Sequence, residues 1–175
     1  LHPFDDEYVI AGQGTIGLEI LEDAADLDAV LVPIGGGGIL AGIATAVKSI
    51  NPKIKVIGVE SENAASMTEA LKRGECCEVC AQPTIADGIA VKKVGCKTLE
   101  LVRKYVDEVI TVSEDEIARA ILFLMEKSKV VAEGAGATPL AAILAGKVKC
   151  VGKKVCAVVS GGNIDVNLIE RVLNR

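Results

Sequence analysis

Aromatic side chains are nearly absent from this 175-residue sequence, which holds two Phe, two Tyr and no Trp. The hydrophobic half of the chain is therefore Val, Ile, Leu and Ala. That mixture suits helices packed on a buried parallel sheet, whose strands read as unbroken aliphatic runs, and it excludes a disordered chain. A basic stripe is missing too. Nineteen Lys and Arg stand against 24 Asp and Glu, a net charge of −5, which argues against a nucleic-acid partner. No apolar run approaches the roughly 20 residues that a membrane helix needs. Leu1-His2-Pro3-Phe4-Asp5-Asp6-Glu7 has no basic stretch leading into an apolar one, so it is no secretory signal. It also opens on Leu rather than Met, which reads as a piece of a longer chain.

Without a secretory signal, the six cysteines (Cys76, Cys77, Cys80, Cys96, Cys150 and Cys156) read as reduced thiols of a cytoplasmic protein. Cys150 and Cys156 flank or sit in an apolar strand and are expected in the core. Cys77-x-x-Cys80 has the spacing of a metal or redox motif, and Cys76 and Cys96 complete four ligands on paper. Adjacent Cys76 and Cys77 would have to point apart, and the second C-x-x-C pair is lacking, so this motif is not assigned a metal.

What the chain does have is alternation. Aliphatic runs at 29–34, 54–60, 108–112 and 153–160 predict strands. Helices are expected at 39–50, 63–72, 97–105, from 114 to about 127, 138–145 and 164–173. Ser113 and Glu116 form a capping box at the start of one of them. Residues 75–96, rich in Cys, Pro and Gly, read as irregular. Strand-helix alternation over 1–175 with no linker predicts one α/β domain, a three-layer, doubly wound, mostly parallel sheet.

Three glycine-rich segments compete for a ligand. Gly12-Gln13-Gly14-Thr15-Ile16-Gly17 fits G-x-G-x-x-G behind Tyr8-Val9-Ile10-Ala11, here read as a strand-to-helix junction. A dinucleotide site needs an acid at the end of the next strand, and that strand ends instead in glycines, so close packing at a helix start is preferred. Gly35-Gly36-Gly37-Gly38 is different. Four successive glycines give up much chain entropy on folding, and a turn needs only one or two. They suit a loop whose bare N–H groups surround an anion at a helix N-terminus, and a phosphate monoester is the natural ligand. No Gly-Lys-Ser/Thr follows, which excludes the nucleotide P-loop. Val158-Val159-Ser160-Gly161-Gly162-Asn163 ends a strand with a hydroxyl. Ser160 either caps a helix or, beyond the carboxyl end of its strand, meets the ligand of the tetraglycine loop.

Together these segments resemble the fold-type II pyridoxal-phosphate enzymes. Pro33-Ile34-Gly35-Gly36-Gly37-Gly38-Ile39-Leu40-Ala41-Gly42 is similar to their phosphate loop. Ala11-Gly12-Gln13-Gly14-Thr15, Ala86-Asp87-Gly88, Glu133-Gly134-Ala135-Gly136 and Ser160-Gly161-Gly162-Asn163 resemble the threonine dehydratase (threonine ammonia-lyase) and serine racemase branch, in the same order, nearest the catabolic threonine dehydratases. The resemblance implies pyridoxal 5′-phosphate as cofactor, its phosphate held by the amides of Gly35, Gly36, Gly37, Gly38 and Ile39. It places Ser160, with Gly161 beside it, at the pyridine nitrogen, Gly88 at the cofactor's edge and Glu133 close to the ring. It further implies a cation site at Glu60, the Ala64 carbonyl and Ser66, with one carboxylate favouring a monovalent ion. The alternative is that Glu60 is a surface acid at a strand end.

The implied reaction of the parent enzyme is β-elimination of L-threonine, with L-serine as the alternative substrate, to a 2-oxo acid and ammonium. Serine racemase or serine dehydratase chemistry is the sister reading, and a non-catalytic phosphate- or nucleotide-binding domain is the alternative from another class. The family's cofactor-bearing lysine lies in a Ser-Phe-Lys-x-Arg-Gly-Ala motif that this sequence lacks. The chain is therefore expected to be the C-terminal portion of the cofactor-binding large domain, without the small domain, inactive alone and prone to form homo-oligomers.

Overall fold

The computed structural model describes residues 2–173. Seven helices and four strands alternate along it: α1 (Glu7–Asp23), β1 (Ala29–Pro33), α2 (Gly38–Ile50), β2 (Lys55–Ser61), α3 (Ser66–Arg73), α4 (Cys96–Tyr105), β3 (Glu108–Val112), α5 (Glu114–Phe123), α6 (Gly134–Leu144), β4 (Val155–Ala157) and α7 (Val166–Leu173). The strands form one parallel sheet in the order β3-β2-β1-β4. Every residue of β1 is buried, as its aliphatic run requires of a strand covered on both faces.

Period-two alternation divides the core. Leu31, Ile57 and Val59 face α5 and α6 and pack with Ile117, Ile121 and Ala141. Val30, Val32 and Val56 face the other way, onto Leu40, Ile43, Val47, Met67 and Val102 from α2, α3 and α4. Each such Leu or Ile, fully buried, contributes roughly 1.5–3 kcal/mol.

Several elements differ from the expectation. Residues 8–11 are not a strand. They belong to α1, a single helix capped by Asp6, whose carboxylate accepts the N–H groups of Tyr8 and Val9. The G-x-G-x-x-G stretch is thus mid-helix, and its glycines serve packing. A Cβ on Gly14 would lie 3.3 Å from Gly42 O, and one on Gly17 would lie 3.1 Å from Ile43 O.

Helix α6 begins at Gly134, four residues earlier than expected, with Pro139 inside it. Proline cannot donate to Ala135 O, and Thr138 Oγ1 takes that acceptor at 2.9 Å. Strand β4 is shorter than expected because the sheet ladder stops soon after Val158 N donates to Leu31 O at 3.0 Å. It is an edge strand, so Cys156 is half-buried, as is Cys150, rather than in the core.

The segment expected as one helix at 63–72 is a 3-10 turn at 62–64 followed by α3, which stops at Gly74 in the left-handed region (φ 76°). The capping box is present as expected, with Glu116 N to Ser113 Oγ and Ser113 N to Glu116 Oε2. Its helix runs into a π turn over 124–128 that ends at Lys129 in the left-handed region. Among the described residues no helix is long and apolar enough to cross a membrane.

Candidate cofactor site

The sheet order determines where a ligand can sit. From β1 the chain runs outward through β2 to β3, then returns to place β4 on β1's other side. The order therefore reverses between β1 and β4, and the crevice beyond their carboxyl ends is the place where open α/β sheets bind ligands. The β1–β4 register (Ala29 with Val155, Leu31 with Ala157) carries the loop after Pro33 and the loop holding Ser160 to the same end of the sheet.

A cavity of about 370 Å3 opens there, lined by the tetraglycine loop, Ile39, Gly88, Glu133 and Ser160. Of the eight residues assigned to the cofactor, Gly35, Gly36, Gly37, Gly38, Ile39, Gly88 and Ser160 line it directly. Gly161 stands behind it, close against Glu133: a Cβ there would lie 2.5 Å from Glu133 Oε1. A larger cavity, about 570 Å3, lies between α1, α2 and α4. Its Lys97 and Glu7 are paired with each other at 2.7 Å, and it has no glycine loop leading into a helix start like that of the smaller one.

The tetraglycine loop is pinned from behind. Gly37 takes φ 95°, which an L side chain rarely adopts. Gly36 O accepts from Thr98 Oγ1 at 2.7 Å and from Gly95 N at 3.2 Å. In α2, Ala41 N reaches back to Gly37 O at 2.8 Å, while the amides before it belong to the open first turn of a helix. Phe4 lies along the loop, and side chains at Gly36 or Gly38 would run into it. The neighbouring Asp5 caps α4, accepting the N–H groups of Cys96, Lys97 and Thr98 at 2.9–3.1 Å.

Gly88 is delivered by the irregular stretch. Glu114 accepts Ile85 N at 2.7 Å and Thr84 Oγ1 at 2.5 Å, fixing the approach to residues 87–89. A Cβ on Gly88 would lie 3.0 Å from Glu133 Oε1. Ser160 is exposed in the crevice and does not cap a helix. Asp165 caps α7 instead, accepting Asn167 N at 2.8 Å, so the helix starts two residues later than expected and Ser160 and Asn163 stay outside it.

These residues fit pyridoxal phosphate. A helix-start glycine loop and a hydroxyl with no cap to serve line one cavity that has room for an anion. Phe4, Asp5 and Thr98 were missed in the sequence. The one signal for Asp5 was Gly95, an N-cap without a side-chain acceptor, which leaves the first N–H groups of α4 to be capped from elsewhere.

At the other assigned site, Glu60 is buried and not the surface acid of the alternative. Its carboxylate accepts Met67 N at 2.6 Å, Thr68 N at 2.9 Å and Thr68 Oγ1 at 2.7 Å. Burial pushes its pKa above the ordinary glutamate value, against the pull of the Thr68 hydroxyl and the two amides. Ala64 and Ser66 are buried at the same end of α3, and Ser66 Oγ is buried with no protein partner.

The cysteines are all free. Cys77 is buried and Cys80 exposed, while burial and a hydrogen bond with Cys96 push the Cys76 thiol up to about 12. Among the described residues no group of three or more His, Cys, Asp or Glu is placed to hold a metal ion.

Comparison with known proteins agrees with this fold. Residues 1–161 match the model of the family described as pyridoxal-phosphate dependent enzyme. The chain belongs to that family. It is 60% identical, over its whole length, to an L-threonine ammonia-lyase of Thermotoga maritima, of which it covers 43%. It superposes on threonine deaminase isoform 2 of Solanum lycopersicum with a TM-score of 0.92 at 38% identity, covering 99% of this chain and 51% of that one. It superposes on serine racemase of Dictyostelium discoideum with a TM-score of 0.87 at 43% identity, covering 95% and 54%. This pyridoxal-phosphate enzyme chain thus spans about half the length of the relatives it matches.

Proposed function

We propose that this chain is the C-terminal portion of the cofactor-binding large domain of an L-threonine ammonia-lyase, which converts L-threonine to 2-oxobutanoate and ammonium by β-elimination. The observation that carries the reading is the meeting of the tetraglycine loop, Gly88, Glu133 and Ser160 around one cavity at the switch point. The 60% identity to an L-threonine ammonia-lyase supports L-threonine as the substrate.

In this reading the amides of 35–39, at the N-terminal end of α2, bind the cofactor phosphate. Bound there, pyridoxal phosphate would supply an electron sink for the substrate's α-carbon. Ser160 Oγ–H donates to the pyridine nitrogen. A hydroxyl in place of a carboxylate leaves that nitrogen unprotonated and the sink weak, which suits an elimination whose β-hydroxyl leaves promptly. Gly88 and Gly161 keep the flanks bare, so that the Glu133 carboxylate reaches the cavity. The α-proton is moved by the family's lysine, which this sequence does not contain.

The chain alone therefore binds cofactor and turns over no threonine. Gly12–Gly17 lies inside α1, which removes the strand-to-helix turn that a dinucleotide site would need. The test is an absorbance titration. Pyridoxal phosphate is expected to bind and Ser160→Ala to weaken it, with NAD giving no change and threonine no 2-oxobutanoate. Binding of NAD with no response to pyridoxal phosphate would overturn the reading.

Two further parts belong to the same proposal. Glu60, the Ala64 carbonyl and Ser66 hold a monovalent cation, supported by the buried, unpartnered Ser66 hydroxyl. The protein also self-associates in the cytoplasm, supported by β4, whose outer edge pairs with no strand among the described residues, and by the exposed Val131 and Val159 beside it. A monodisperse monomer in sedimentation would overturn the latter.

A further inference from the structure

Thr98 is one of the few polar side chains with no exposed surface. It lies in the first turn of α4 and does not line the cavity. Its hydroxyl stands 2.7 Å from Gly36 O and 2.9 Å from Gly95 O, and Gly95 N stands 3.2 Å from Gly36 O. Both groups that hold the Gly36 carbonyl therefore come from the start of α4. Among the described residues no peptide bond is cis, so the N–H of Gly37, in the same peptide unit as Gly36 O, points the opposite way. Gly37 is itself one of the residues that line the cavity.

A glycine peptide with no Cβ to restrain it rotates freely unless something holds it. Turned over, this peptide would present a carbonyl oxygen to an incoming anion in place of a donor. Thr98 is well placed to prevent that, because it is itself fixed. Its amide donates to Asp5 Oδ1 at 3.1 Å, and its methyl-bearing Cβ packs at the position where a Gly37 side chain would be, 2.9 Å from that point.

We propose that Thr98 is a positioning residue for phosphate binding: its hydroxyl holds the Gly36 carbonyl towards α4, so that the Gly37 amide is aimed into the cavity before any ligand arrives. This rests on the cofactor reading of the site. The residue touches no ligand, and its effect is confined to the phosphate end, so it separates phosphorylated from unphosphorylated vitamers.

The experiment is calorimetric titration of the wild-type chain, Thr98→Val and Thr98→Ser with pyridoxine 5′-phosphate and with pyridoxine, which carry no aldehyde to react with surface lysines. Thr98→Val keeps the shape and removes the hydroxyl. It is expected to weaken the phosphate ester about tenfold, the loss of one hydrogen bond's worth of orientation, and to leave pyridoxine unchanged. Thr98→Ser is expected to restore the phosphate preference. Equal loss for both ligands, or no loss for either, overturns the positioning role while leaving the cofactor reading in place. A wild-type chain that does not prefer the phosphate ester overturns the cofactor reading, and the inference with it. If the valine variant does not fold, amide NMR of the wild-type chain decides. The Gly37 N–H resonance is expected to move downfield with the phosphate ester and not with pyridoxine, and an unmoved resonance overturns the proposal.

Discussion

The Glu133 carboxylate fits against Gly161 so closely that an added methyl would lie 2.5 Å from Oε1 and 2.6 Å from Cδ, while Glu133 N donates to Gly161 O at 3.0 Å. The backbone tie fixes the spacing, so only the carboxylate can move. Gly161→Ala is expected to swing it into the cavity and weaken pyridoxal phosphate by roughly tenfold, the scale of a local overpacking penalty. Removing the displaced group should relieve this, so Glu133→Ala combined with Gly161→Ala binds better than Gly161→Ala alone. Equal affinity of wild type and Gly161→Ala in an absorbance titration would contradict the crowding.

The α1–α2 contact is less forgiving. A Cβ on Gly42 would lie 2.7 Å from Gly14 N and 2.9 Å from Gln13 C, and backbone cannot rotate aside as a side chain can. Gly42→Ala is expected to destabilise the protein by about 1–3 kcal/mol, by forcing the two helices apart. Urea unfolding measures it. A variant as stable as wild type would show that α1 is free to shift.

Of these two helices, α2 was legible in the sequence and α1 only in part. The strands and the helices after them announced themselves through aliphatic runs and the Ser113–Glu116 cap. Tyr8–Ala11 did not, because four apolar residues before a glycine fit a strand as well as a buried helix turn, and only the neighbouring α2 decides between them. At the site, the tetraglycine loop and Ser160 were legible because their chemistry is in the residues themselves. Thr98 and Asp5 were not, because their roles depend on α4 being brought beside the loop from some sixty residues away, a distance no local pattern encodes.

A charge pair ties α6's far end to the capping box. Burial pushes the Glu116 carboxyl up, but Lys147 Nζ at 2.7 Å and the Ser113 amide outweigh it and hold the carboxyl below its ordinary value. Burial likewise lowers Lys147, but Glu116 and Glu62 outweigh it and hold the ammonium above its ordinary value. The carboxylate's contribution to stability is complete above the ordinary glutamate value of 4.5 and is lost as pH falls through the depressed one. Lys147→Met is expected to cost about 1 kcal/mol at pH 7, since both partners are partly solvated. In urea titrations the gap to wild type should narrow as pH falls below 4.5. A gap independent of pH would contradict the pairing.

Ser66 tests the cation. A buried hydroxyl with no protein partner gains from an ion and loses nothing when removed in its absence. Potassium chloride is expected to raise the melting temperature relative to tetramethylammonium chloride at equal ionic strength, by about 2.7 kcal/mol of stability at a hundred times Kd. Ser66→Ala and Glu60→Gln should abolish that response, and Ser66→Ala should be no less stable than wild type without potassium. Equal melting temperatures of the wild-type protein in the two salts would contradict the site.

The most direct test is a crystal structure with pyridoxal phosphate bound. The phosphate is expected within hydrogen-bonding distance of the amides of Gly35 to Ile39, with the pyridine nitrogen beside Ser160 Oγ. A cofactor seated between α1, α2 and α4 instead, or a phosphate turned away from the four glycines, would contradict the assignment.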